Sequence, residues 1–321
     1  MTTPREIQVA LLGECMLELQ GQALGAMSQG FGGDTLNTAV YLARCGGGGG
    51  GDHHLSVSYA TALGDDRYSA LMMDAWAREG IKLDLVRRLP GRLPGLYMIE
   101  LNEAGERSFS YWRDAAAARA YFDVESTPLE ARAGEWDAFY LSGISLAILP
   151  VAARERVFAL MGALRKRGAK VIFDNNYRPR LWPDIAQARA CFERAFELAS
   201  TVLITADDHQ LLFGLPTLDA AVQAAQALPA TEIVIKRGAE ATLVGEGGNG
   251  NKTWAEAATE PVPRVVDTTA AGDSFAAGYL SRRLAGASAP EAARFGNRLA
   301  ARVIQHRGAL IPLAAMADLA G

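Results

Sequence analysis

The chain has 321 residues, half of them hydrophobic, and its 32 Lys and Arg against 36 Asp and Glu give a formal charge of -4. With a pI near 5.7 and no dense basic stretch, it lacks what binding to phosphate backbones or anionic lipid requires, so neither nucleic acid nor membrane is expected as a partner. Cys15, Cys45 and Cys191, odd in number and far apart, offer neither a disulfide framework nor a zinc signature and fit a reducing cytoplasm.

The apolar runs IQVALLG, VSYATALG, DAFYLSG, AKVIFDN, STVLIT and TEIVIKRG are each closed by Gly, Asp, Asn or Thr, and most are separated by helix-length segments. This rhythm predicts an α/β fold with a doubly wound, mostly parallel sheet flanked by helices. No linker divides the chain, so residues 1–321 are expected to form one domain. The longest uncharged run, residues 138–153, holds Gly143 and Pro150 and is too short for a membrane span. The N-terminus has no signal-peptide pattern, and a soluble cytoplasmic protein is expected.

In such sheets ligands lie beyond the carboxyl ends of the strands, which directs attention to Gly13, Asp174, Thr205, Lys236 and Asp267. After the first run, GFGGDTLNTAVYLARCG joins a glycine turn to a helix with Leu36, Ala39, Val40 and Ala43 on its apolar face. Asp34 and Asn37 share another face, where they serve either as helix caps or as partners for polyol hydroxyls. Gly46 to Gly51 follow a helical pattern instead of a strand, so they predict a flexible loop and not a dinucleotide fingerprint. LPGLYMIELNEAGERSFSYWR predicts an antiparallel hairpin turning at Asn102 to Gly105, with Tyr97, Ile99 and Leu101 alternating along its first strand.

Toward the C-terminus, VVDTTAAGDSFAAGYL predicts a strand ending at Val266, a turn of small residues and a helix carrying Asp273 in its first turn. Free N–H groups beside the positive end of a helix dipole make an anion site. Asp273 can merely steady that first turn, or it can work on a ligand held there; the dipole is expected to favour its charged form. The chain has no Walker A loop and no protein-kinase signature.

The run Asp267-Thr268-Thr269-Ala270-Ala271-Gly272-Asp273 resembles the C-terminal signature of the ribokinase-like (PfkB) family of carbohydrate kinases, with Ala270 where that family usually has Gly. The resemblance implies that Asp273 accepts the proton of the attacking sugar hydroxyl, while the amides of Ala270, Ala271 and Gly272 form an anion hole for the transferred phosphoryl group. It further implies ATP and Mg²⁺ as cofactors, with Asn176, Arg178, Lys236, Gly238, Ala270, Gly272 and Asn297 along the nucleotide. Thr205 and Asp208 stand where the family commonly has Asn and Glu for organising the metal, so the metal ligands stay unassigned.

FGGDTLNTAVYLAR, LPGLYMIE, YWR, LSGISLAILP, FDNNYRPRLWP and DTTAAGDSFAAGYL are similar to the branch of the family that phosphorylates 2-keto-3-deoxygluconate. That resemblance implies a sugar-acid substrate held by Gly33, Asp34, Asn37, Tyr97, Tyr111, Arg113 and Arg178, since an Arg fork suits a carboxylate. Arg178 faces either that carboxylate or the phosphates. A small β-rich lid from residues 14–33 and 93–113, and a homo-oligomer built through it, are also implied. A fructokinase or other sugar kinase, and a catalytically silent sugar- or nucleotide-binding member, are the alternatives.

Overall fold

In the computed structural model, residues 5–46, 53–101, 107–248 and 250–319 are described. Their strands, in chain order, are β1 (Arg5–Leu12), β2 (Met16–Gly21), β3 (Met27–Gly32), β4 (His53–Leu63), β5 (Val86–Arg88), β6 (Gly95–Leu101) and β7 (Arg107–Trp112). There follow β8 (Ala138–Ser142), β9 (Lys170–Asp174), β10 (Thr201–Thr205), β11 (Glu232–Arg237), β12 (Glu240–Glu246) and β13 (Thr253–Ala257).

Nine strands make one sheet in the order β13-β12-β11-β10-β9-β8-β1-β4-β5. All neighbours from β11 to β5 run parallel, and only β12 and β13 are antiparallel additions. The central strands are near-continuous apolar runs because helices cover both faces. Alternation then divides each strand between two cores: Phe139 and Leu141 of β8 pack with Phe173, Phe192 and Phe196, whereas Ala138 and Tyr140 pack with Leu203, Val234 and Tyr279.

The chain winds outward from β1 in one direction through β4 and β5, and in the other through β8, β9, β10 and β11. The switch point therefore lies between β1 and β8. A second sheet, β3-β2-β6-β7, has β2 and β6 parallel and its other two pairs antiparallel.

Two sequence expectations lie outside the described residues: the turn at Asn102 to Gly105 and most of the glycine run. One is corrected. No strand ends at Val266; Val265 and Val266 are exposed, and the N–H groups of Val266 and Asp267 donate to the carbonyl of Ile304 at 2.8 and 3.1 Å. The turn is instead fixed by Asp267, whose carboxylate accepts from Thr269 N at 3.0 Å, Thr269 Oγ1 at 2.7 Å and Gly308 N at 2.9 Å. Among the described residues no helix is long and apolar enough to cross a membrane.

Candidate active site

A cleft of about 420 Å³ lies between the carboxyl edge of the large sheet and the small sheet. Its floor is the turn that opens the helix Ala271–Leu284, with Asp273 in the first turn of that helix. Ala270 caps it in the left-handed conformation, at φ 60° and ψ 16°. A residue with a Cβ pays about 1 kcal/mol or more there relative to glycine.

The turn supplies a different set of free amides from the one expected, because Ala271 N–H donates to Thr268 O at 3.2 Å. Those of Ala270, Gly272 and Asp273 have no acceptor among the described residues. A Cβ placed on Gly272 would lie 3.6 Å from Lys236 Nζ, so the ammonium group stands directly beside these amides. Lys236 is held there by Asp174, at 3.0 and 3.3 Å from its two oxygens.

Asn37 donates from Nδ2 to Asp273 Oδ2 at 2.8 Å, while its own buried Oδ1 has no donor within the protein. That orphaned acceptor suits a ligand hydroxyl. Asn176 donates to Asp34 Oδ2 at 2.7 Å, which places a second carboxylate in the same wall. Gly33 is required as glycine, since a Cβ there would collide with the carbonyl of Glu14.

Asp273 can be reached from the cleft, but the packed side chains around it remove most of its water. Desolvation, then the charges of Asp34 and Asp174, push its pKa up to about 8 against the pull of Asn37 and Lys236. The expectation that the helix dipole would favour its charged form is thereby overturned. A terminal dipole is smaller than the combined effect of burial and two like charges.

Of the residues assigned in the sequence to the sugar, the phosphoryl group or the nucleotide, Gly33, Asp34, Asn37, Tyr97, Tyr111, Asn176, Arg178, Lys236 and the turn from Ala270 to Asp273 line this cleft, joined by Asp174 and Thr205 from the strand ends. Three do not. Arg113 is drawn to Glu14 in an ion pair that leaves both side chains largely buried, and it lines a separate, mainly apolar groove of about 820 Å³. Gly238 lies in the turn between β11 and β12 with φ 62°, outside the cleft. Asn297 is spent on structure: Nδ2 donates to the carbonyls of Ala257 and Ala258 at 3.1 and 3.0 Å, and Oδ1 accepts from Thr242 at 2.9 Å.

The cleft also takes in Asp208, whose carboxylate accepts from Tyr177 N at 3.2 Å and pairs with Arg178 at 3.3 Å. Burial raises its pKa in spite of Arg178 and Lys236. Two glutamates of the small-sheet region, Glu14 and Glu18, were missed in the sequence. The signal for Glu14 was its place just past the carboxyl end of β1; for Glu18 there was none, since it follows from strand register. Four carboxylates, Asp34, Asp174, Asp208 and Asp273, face the cleft beside two cations, Arg178 and Lys236. That excess of negative charge fits a polyanionic ligand only if a cation accompanies it. Among the described residues no three acidic, His or Cys side chains form a ready metal cage. Mg²⁺ bound with a nucleotide needs only one or two protein carboxylates.

A doubly wound sheet with a cleft beyond the carboxyl ends of β9, β10 and β11 and an amide turn beside a buried carboxylate defines an α/β enzyme class built for handling anionic groups. Residues 6–316 match the model of the pfkB family of carbohydrate kinases, and the chain belongs to that family. It is 47% identical over 309 residues to the 2-dehydro-3-deoxygluconokinase of Dickeya dadantii, covering 96% of this chain and 98% of that one. The Escherichia coli K12 protein of the same name is 44% identical over 310 residues, with the same shares covered. Among solved structures, a putative ribokinase II of E. coli in complex with ATP and Mg²⁺ superposes with a TM-score of 0.78 at 20% identity, covering 98% of each chain.

Proposed function

We propose that this chain transfers the terminal phosphoryl group of ATP to the 6-hydroxyl of 2-keto-3-deoxy-D-gluconate, giving the 6-phosphate. The arrangement that carries the reading is Asp273, held by Asn37 beside the free amides of Gly272 and Asp273 and the ammonium of Lys236. Identity of 47% to a 2-dehydro-3-deoxygluconokinase supports the choice of substrate.

Each group has a chemical part. Asn37 presents a carboxylate oxygen of Asp273 to the sugar's hydroxyl, and Asp273 takes its proton as the bond to phosphorus forms. A base with a pKa near 8 retains proton affinity close to the working pH, which is where general-base catalysis is most effective. Phosphoryl transfer has a loose transition state, so donors aimed at the equatorial oxygens supply most of the acceleration. The free amides and Lys236 are those donors. Arg178, half exposed on the cleft rim, serves the substrate carboxylate or the phosphates. Mg²⁺, when bound with ATP, neutralises phosphate charge; Asp208 is the carboxylate that would hold it.

The chain acts as one domain whose small sheet closes as a lid over the sugar and excludes water from the transfer. A homo-oligomer forms through this lid, supported by exposed Leu93 and Trp112 at the apolar groove. The enzyme works in the cytoplasm. A coupled ATP assay over a panel of sugars tests the reading: clear preference for the keto-deoxy acid is expected, and preference for fructose or ribose overturns the substrate. No turnover of any sugar, with binding intact, would favour a silent sensor.

A further inference from the structure

The small sheet carries a hydrogen bond that decides what Tyr97 can say to a ligand. Glu18 on β2 and Tyr97 on β6 are direct register partners, and the Tyr97 hydroxyl donates its only proton to Glu18 Oε2. Tyr97 lines the cleft, stacked on Tyr111 with ring centres 6.0 Å apart. The pair has room because β3 brings Gly32 underneath: a Cβ there would lie 2.5 Å from the Tyr97 hydroxyl and 3.8 Å from Glu18 Oε2. Burial and the neighbouring Glu18 raise the phenol's pKa, so it keeps the proton that it donates.

A carboxylate has only lone pairs to offer, and a phenol has one proton. We infer that Glu18 is a positioning residue that fixes Tyr97 as a pure acceptor toward the cleft, so that this site selects a ligand hydroxyl and rejects a carbonyl or carboxylate oxygen. The proton of Tyr97 cannot turn to a ligand acceptor without abandoning Glu18. A ligand hydroxyl donates to the remaining lone pair at no such cost, whereas a carbonyl would set lone pair against lone pair. The inference rests on the kinase reading above and adds to it the polarity of one sugar contact. It also assigns Gly32 a purpose: it leaves the space in which the Glu18–Tyr97 bond forms.

The test compares the keto-deoxy acid with its two oxo analogues, each having one non-reacting hydroxyl oxidised to a ketone. In the wild-type protein, kcat/KM should fall by about 100-fold or more for one analogue, in line with the cost of an unpaired polar group in a site built for hydrogen bonding. Glu18→Gln, whose amide can donate to Tyr97 and release the phenolic proton, should narrow that ratio by about tenfold. Its KM for the parent acid should move only a few-fold. Tyr97→Phe should abolish the discrimination, and adding Glu18→Gln to it should change nothing more. Gly32→Ala, which displaces the phenol without altering charge, should narrow the same ratio and serves if Glu18→Gln fails to fold. Unchanged ratios in both Glu18→Gln and Gly32→Ala overturn the inference. If the wild-type protein ignores the keto-deoxy acid, the substrate reading fails instead, and the same ratios are measured on the oxo analogues of whichever sugar it accepts.

Discussion

The two sheets handle polar chemistry in opposite ways. In the large sheet, strands such as β8 are buried along their whole length, and ionic groups collect where strands end: Asp174 closes β9, and Lys236 stands near the end of β11. In the small sheet the polar and aromatic groups lie along the strands, with Glu18, Tyr97 and Tyr111 side by side across β2, β6 and β7. The large sheet thus provides a rigid floor with charges in fixed places. The small one provides a patterned surface that lines the opposite side of the cleft. Changes to the floor should therefore shift kcat or stability, in either direction for stability, and changes toward the open side should damage KM alone.

Asp273→Asn tests the floor most severely. It should lower kcat by about 10²- to 10⁴-fold with little change in KM for ATP, as steady-state kinetics will show. In the wild-type protein, kcat/KM should rise with pH as Asp273 ionises at about 8. The same group has a stability signature. Its folded pKa lies above the usual carboxylate value of 3.8, so the folded state holds a proton that the unfolded chain releases, and stability drains away as pH rises from about 4 to 8. Asp273→Asn should consequently melt higher than wild type at pH 8.5 and match it near pH 4.

Lys236→Met comes next. It leaves the largely buried Asp174 without its cation, and chemical denaturation should show a loss of about 3 kcal/mol together with a fall in kcat. Arg178→Ala sharpens the contrast from the open side. Its pair with Asp208 is half exposed and contributes little to stability, so melting should barely change while KM for the sugar acid or for ATP rises about tenfold. Whichever KM moves identifies the anion that Arg178 serves. Ala270→Gly should have the smallest effect, a gain of up to about 1 kcal/mol from relief of the left-handed backbone, with activity retained.

Features encoded within a short stretch were legible in the sequence. The parallel strands announce themselves because both of their faces are buried, and the turn before Asp273 does so through its small residues. Features created by distant chain segments were not. Asn37 and Asp273 are 236 positions apart, and nothing local to Asp273 reveals that Asp34 and Asp174 crowd it. Arg113 was expected at the sugar, but Glu14, 99 positions earlier, holds it away from the cleft. Asn297 was expected on the nucleotide, yet the backbone of Ala257 and Ala258 takes its donors. Val265 and Val266 looked like a strand end because they are apolar; they belong to an irregular segment anchored on Ile304.

The parallel pairing of β2 with β6 couples two stretches of chain whose facing residues, Glu18 and Tyr97, are 79 positions apart. Each stretch is joined to the rest of the fold at both of its ends, and the ladder between them keeps either from moving alone. Deuterium uptake should therefore show the amides of β2 and β6 exchanging together, as one plate, before those of β8 and β9.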